Sequence, residues 1–109
     1  MKYDYTGERE TKAKQASRKD GRNNAGIVHL QGVGDVAGIT AADLRCGDCL
    51  MWNYGGKSKV VSITPYGTMS VRVVEEYTTY DGEQKEHTRV MRASRIVAVL
   101  DTDGTYFVF

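Results

Sequence analysis

Residues 69–92 read MSVRVVEEYTTYDGEQKEHTRVMR, two runs of strand-forming residues on either side of Asp81-Gly82. Asp-Gly between such runs is a strong hairpin signal, because a two-residue type I′ turn needs positive φ at both central positions. With that turn Tyr80 faces Glu83, and counting back sets Val73 opposite Val90, Val71 opposite Arg92 and Glu75 opposite Thr88. The other face then pairs Arg72 with Met91, Val74 with Arg89, Glu76 with His87 and Thr78 with Lys85. The Val71, Val73 and Val90 face packs inward at the hairpin's base. The opposite face carries Arg72, Lys85 and Arg89, flanked by Glu76 and His87.

The same punctuation continues on both sides. Residues 26–31 (GIVHLQ) read as a first strand, and the glycine-rich residues 32–38 as a loop. Thr40 to Asp43 resembles a capping box around one helical turn, with Asp43 at the third helical position. Gly47-Asp48 leads into a strand over residues 49–53, Gly55-Gly56 turns it back into residues 57–63, and Pro65-Tyr66-Gly67 turns again into the hairpin. Residues 95–100 (RIVAVL) are apolar on both faces, which marks a central strand buried on both sides. Asp103-Gly104 turns into a last strand over residues 105–109. Short strands joined by tight turns predict a mainly β fold: a small antiparallel barrel, SH3-like first and OB-like second, with a short N-terminal helix or arm.

The chain has 109 residues, 40% of them hydrophobic, enough for one modest core. It contains no apolar run long enough to cross a membrane and no apolar leader, so the expected location is the cytoplasm. Its net charge of +1 hides an asymmetry: residues 1–24 hold seven Lys/Arg against four Asp/Glu, and residues 25–109 hold eight against ten. The expected organisation is therefore a basic polar arm over residues 1–24 and a β-domain over residues 25–109. Within the arm, residues 6–17 suit a short helix capped by Thr6, with Glu8 and Glu10 in its first turn and only Ala13 and Ala16 on its apolar face. Because such a helix buries little, removing residues 1–22 should leave the β-domain folded. The arm's Lys12, Lys14, Arg18, Lys19 and Arg22 are the candidate contacts to phosphate or to an acidic protein surface.

Chemistry is harder to find. Cys46-Gly47-Asp48-Cys49 has C-x-x-C spacing, but it follows a helical turn and runs into a strand, the reverse of a thiol redox site. Zinc needs four ligands, and only His29 and His87 add to the pair. Free, metal-free thiols are expected, with no cofactor. Gly32-x-Gly34 lacks the strand and long helix that a phosphate loop requires. Glu75 and Glu76 are neighbours in a strand and so point to opposite faces. No nucleophile, base and acid assemble, and the expectation is a protein that is not an enzyme. Trp52 reads most simply as a core residue at one end of the barrel. Tyr54 and Tyr66, if carried on adjoining loops, form a platform on which bases could stack.

Three segments, ADLRCGD at 42–48, CLMWNYG at 49–55 and RASRIVAV at 92–99, resemble small uncharacterised proteins carried by bacteriophages and mobile elements. The resemblance spans roughly residues 40–100. It implies a binding protein, including the class that inhibits host defence nucleases. The expected function is thus a non-enzymatic phage or mobile-element protein that acts on a host nucleic-acid-handling protein or nucleoprotein. The first alternative is direct nucleic-acid binding through the arm and the Arg72/Arg89 face. A second is a structural phage protein that forms a symmetric homo-oligomer. The contact residues expected on either binding reading are Lys12, Lys14, Arg18, Lys19, Arg22, Arg72, Arg89, Tyr54 and Tyr66.

Overall fold

The computed structural model describes residues 18–106. Among these, seven strands form two antiparallel sheets. One sheet holds β1 (Gly26–Leu30), β2 (Gly34–Thr40) and β7 (Ile96–Ala98) in the order β1-β2-β7. The other holds β3 (Cys49–Met51), β4 (Lys57–Tyr66), β5 (Ser70–Thr78) and β6 (Gln84–Arg92) in sequence order. The mainly β, antiparallel expectation stands. The helix expected over residues 6–17 lies outside the described residues, as do the last three positions of the strand expected over residues 105–109. The Asp103-Gly104 turn is present, closed by Gly104 N–H to Asp101 O and Asp101 N–H to Thr105 O.

The central hairpin forms, but its turn is one residue longer than a type I′ turn. Gly82 N–H donates to Thr79 O and Thr79 N–H to Glu83 O, so three residues separate the last pair. Gly82 alone takes positive φ, at 88°, and Asp81 stays on the ordinary side. This is a type I turn followed by a left-handed glycine, which asks for positive φ at one residue instead of two. The Thr79 hydroxyl supports it by donating to the Asp81 carboxylate and accepting from Glu83 N–H. The extra residue slips the register by one. Val73 faces Arg89, not Val90; Val71 faces Met91; Glu75 faces His87; Arg72 faces Val90. A one-residue slip exchanges the faces of one strand relative to the other. Arg72 and Arg89 therefore lie on opposite faces of the sheet, and of the three cations expected on one face only Lys85 and Arg89 share it.

Residues 34–38 are not loop but the first half of β2, paired with β1 from Gly26↔Gly38 to Leu30↔Gly34. The glycine that argued for a loop serves a packing purpose. A Cβ on Gly38 would sit 2.6 Å from Val97 O, so only glycine lets β2 lie this close to β7. The Thr40 turn is a single 3-10 turn, Ala41–Asp43, in which the Thr40 hydroxyl meets the Asp43 carboxylate and caps no backbone group. Pro65 and Tyr66 are not turn residues either. They continue β4, paired with Val71 and Ser70. Since β3 covers β4 only from Lys57 to Lys59, Pro65 needs no donor on its outer side.

The two sheets meet at β3 and β7. Leu50 bridges to Val99, and Leu100 N–H donates to Cys49 O. Strand β7 is thus the edge of its own sheet, not its centre, and finds a second neighbour in β3. Both strands are buried on both faces. Leu50, Val97 and Val99 join Ile39, Val60, Val73 and Met91 in one apolar cluster, while Met51 and Ala98 join Leu30 and Val36 in a second. Alternation along two short strands thereby builds a septum between two cores. Leu50 is fully buried at this junction, and truncating such a side chain removes transfer energy and leaves a cavity. Leu50→Ala should lower the unfolding free energy by about 2–5 kcal/mol in urea titration. Val61→Ala, at the exposed residue of the β4 bulge, should change it by no more than about 0.5 kcal/mol. Equal effects at the two positions would contradict the septum.

Candidate functional site

Of the cations expected to reach outward from residues 18–22, Arg18 and Arg22 are instead turned inward, while Lys19 stays exposed. Arg18 donates from Nη1 to Val99 O at 3.1 Å and from Nη2 to Leu100 O at 3.2 Å, and its side chain is only 4% exposed. Arg22 grips the Asp48 carboxylate with both Nη atoms, each at 2.7 Å, and donates also to Asp43 O. Asp20 lies between the two arginines and accepts from both. Lys19 N–H donates to Asp101, and its ammonium pairs with Asp103. This segment straps the ends of β7 and the turn before β3 together, so the arm as a free basic element does not extend to residue 24. Lys12 and Lys14 lie outside the described residues.

The strap ends in the turn that separates the two cysteines. The turn at Gly47 presents Asp48, which accepts from Arg45 N–H at 2.7 Å as well as from Arg22. Cys46 is exposed and Cys49 half-buried, both as free thiols. Burial pushes the Cys49 thiol up from its ordinary range, with the Lys57 ammonium acting against it. Among the described residues no group of three His, Cys, Asp or Glu is placed to hold a metal.

The two tyrosines do not form one platform. Tyr54 sits just before β4 and Tyr66 ends it, and ten residues of strand span about 33 Å. Tyr54 is 76% exposed and holds a left-handed backbone at φ 61°, fixed by Tyr54 N–H to Gln31 O and by its hydroxyl to the Gln31 side chain. Tyr66 lies on the outer face of the β4–β5–β6 sheet, with the Arg72 guanidinium 4.8 Å from its ring centre.

The constellation that sequence reading missed is centred on Trp52. Its ring is half-buried against the larger core, and its indole N–H donates to Ser58 Oγ at 2.8 Å. The Arg89 guanidinium covers the ring at 4.2 Å from the centre, and Arg95 approaches to 5.9 Å. Arg89 Nη2 also donates to Glu75 Oε1 at 2.9 Å, and Glu75 is only 2% exposed. A cleft of about 400 Å³ lies on one side of Trp52, between β1, the end of β3 and β7. A second of similar size, about 400 Å³, lies on the other side, bounded by Glu75, Tyr77 and His87. The site offers two guanidinium groups on a fixed aromatic ring, an arrangement suited to holding a ligand. No sequence signal for it existed once the hairpin register was counted one residue short, because Arg89 then faced away from Glu75. No known family, curated protein or solved structure matches the chain.

Asp20 supplies the measurable consequence of the strap. Burial alone would raise its pKa, but hydrogen bonds from Arg22 and Arg18 outweigh that and hold the carboxyl well below its ordinary 3.8. The folded value is depressed, so the stabilisation is complete above the unfolded pKa and is lost as pH falls from about 4 towards the folded value. Asp20→Asn should cost about 3 kcal/mol at pH 7, because it leaves buried guanidinium groups short of a carboxylate. The gap between variant and parent should narrow below pH 4. Urea titrations across pH 2–7 with no difference at neutral pH would show that the strap is not structural.

Proposed function

We propose that the chain is a non-enzymatic binding protein of a phage or mobile element, acting on a host protein that handles nucleic acid, with inhibition of a defence nuclease as its fullest form. The domain we infer is a small SH3-like or OB-like barrel, a reading supported by the Leu50–Val99 bridge between the sheets. The observation that carries the functional reading is the outer face of β4, β5 and β6. There Tyr66, Arg72 and the exposed Val90 adjoin, and Arg72 is held on the Tyr66 ring. Tyrosine and arginine are enriched among the residues that dominate protein–protein binding energy. An arginine ordered by stacking also loses less freedom when a partner engages it.

Direct grip on a phosphate backbone has less support. It calls for a run of available cations, each displacing counterions. Arg18 and Arg22 are committed to Asp20 and Asp48, and Arg72 and Arg89 lie on opposite faces.

Immobilised protein should retain a host protein from lysate after exhaustive nuclease treatment, and the purified partner should rebind without nucleic acid. Arg72→Glu should weaken that complex by about tenfold or more, the size of a hot-spot loss. Arg72 is exposed, so the variant should keep the parent's urea midpoint. Capture that vanishes with nuclease treatment, together with affinity for bare DNA or RNA falling by about 0.7–0.9 log units per log unit of salt for each phosphate contact, would overturn the reading in favour of nucleic-acid binding.

A further inference from the structure

We infer that the cleft between Trp52, β1 and β7 is a binding site for a small organic anion, a carboxylate carried on an apolar body. Its floor is apolar: Leu30, Met51 and Val97 come from three different strands and are all buried. Its mouth is cationic, formed by Arg89 of β6 and Arg95 of the turn before β7, both on the Trp52 ring. At 4.2 and 5.9 Å from one ring, the two guanidinium carbons are no more than about 10 Å apart, near the Debye length at physiological salt, so their repulsion is only partly screened.

One carboxylate serves these two cations. Glu75 Oε1 meets Arg89 Nη2, while Arg95 has no acidic partner among the described residues. Beside that contact Arg89 Nε and Glu75 Oε2 are both buried with no hydrogen-bond partner, so Arg89 is committed to Glu75 and Arg95 is the guanidinium left for a ligand. His29, also in the lining, is joined through Nδ1 to Asp35 Oδ1 at 2.6 Å. Arg95 is therefore the guanidinium at the mouth that no carboxylate of the described residues holds, and it stands above an apolar floor. A guanidinium presents a planar edge of N–H donors, and a planar carboxylate accepts from such an edge through two oxygens, which Arg95 is exposed to offer. The volume of about 400 Å³ suits a ligand of one ring or a short chain. The Trp52 to Ser58 hydrogen bond holds the ring in place before any ligand arrives. This site is independent of the outer face proposed for protein binding, since Arg72 and Arg89 lie on opposite faces.

Trp52 is the only tryptophan, so its fluorescence reports on the cleft directly. The full chain titrated with phenylacetate should show a saturable change. Phenylacetamide, the same body without the charge, should bind at least about tenfold more weakly, as should phenylacetate to Arg95→Gln, in line with the loss of one charge-assisted hydrogen bond. Arg95 is exposed, so the variant should retain the parent's urea midpoint, which separates lost binding from lost folding. Inorganic phosphate should bind more weakly than phenylacetate because it leaves the floor unfilled. The assignment is overturned if phenylacetate and phenylacetamide act alike, if Arg95→Gln leaves phenylacetate binding unchanged, if phosphate binds as tightly, or if no ligand saturates.

Discussion

The register of the β5–β6 hairpin is the constraint on which the rest of the binding surface depends. One extra residue in its turn puts Arg89 opposite Val73, on the face that looks into the molecule. From there Arg89 reaches both the Glu75 carboxylate and the Trp52 ring. The same residue count puts Arg72 on the outer face, against Tyr66. With a two-residue turn these arginines would share one face, and the protein would not present two separate sites. A local choice, positive φ at Gly82 alone, is thus transmitted along nine paired residues because side chains alternate strictly in a strand.

The second organising element is the septum of β3 and β7. Both strands are short, three residues each, and have little ladder to hold them. Their stability comes from burial on both faces and from the strap of Arg18, Asp20 and Arg22, which ties the carbonyls after β7 to the turn before β3. Charge is placed inside a small protein here, and placing it there is costly unless each ion finds its partners. The arginines find carboxylates and backbone carbonyls, so the strap binds the two strand ends instead of standing off from them. The cleft beside Trp52 opens against this septum, and Met51 and Val97 form both its floor and part of the cores.

Much of the architecture was legible in the sequence. Turn chemistry at Gly55-Gly56 and Asp81-Gly82 placed the strands on either side of it, and the apolar run at 95–100 marked β7, because local backbone preference and burial agree there. The reading failed where a residue serves a distant neighbour. Gly38 reads as loop, yet it is glycine because Val97 of β7 passes close by. Pro65 reads as a turn, yet it is tolerated because β3 is too short to reach it. The basic residues 18 and 22 read as outward charge because their partners, Asp48 and the carbonyls of residues 99 and 100, come from far along the chain. Asp20 between them was the visible hint. The Trp52 site stayed hidden for one reason: whether Arg89 shares a face with Glu75 or with Val74 depends on turn length, and Asp-Gly fits turns of two lengths.

The register itself is directly measurable. Across an antiparallel pair, opposed α-protons in the non-hydrogen-bonded positions lie close together. In solution NMR, α-proton cross-peaks should join residues whose numbers match the longer turn, either Val73 with Arg89 or Arg72 with Val90. Cross-peaks joining Val73 with Val90, or Arg72 with Met91, would put Arg89 on the outer face and remove the foundation of the Trp52 site.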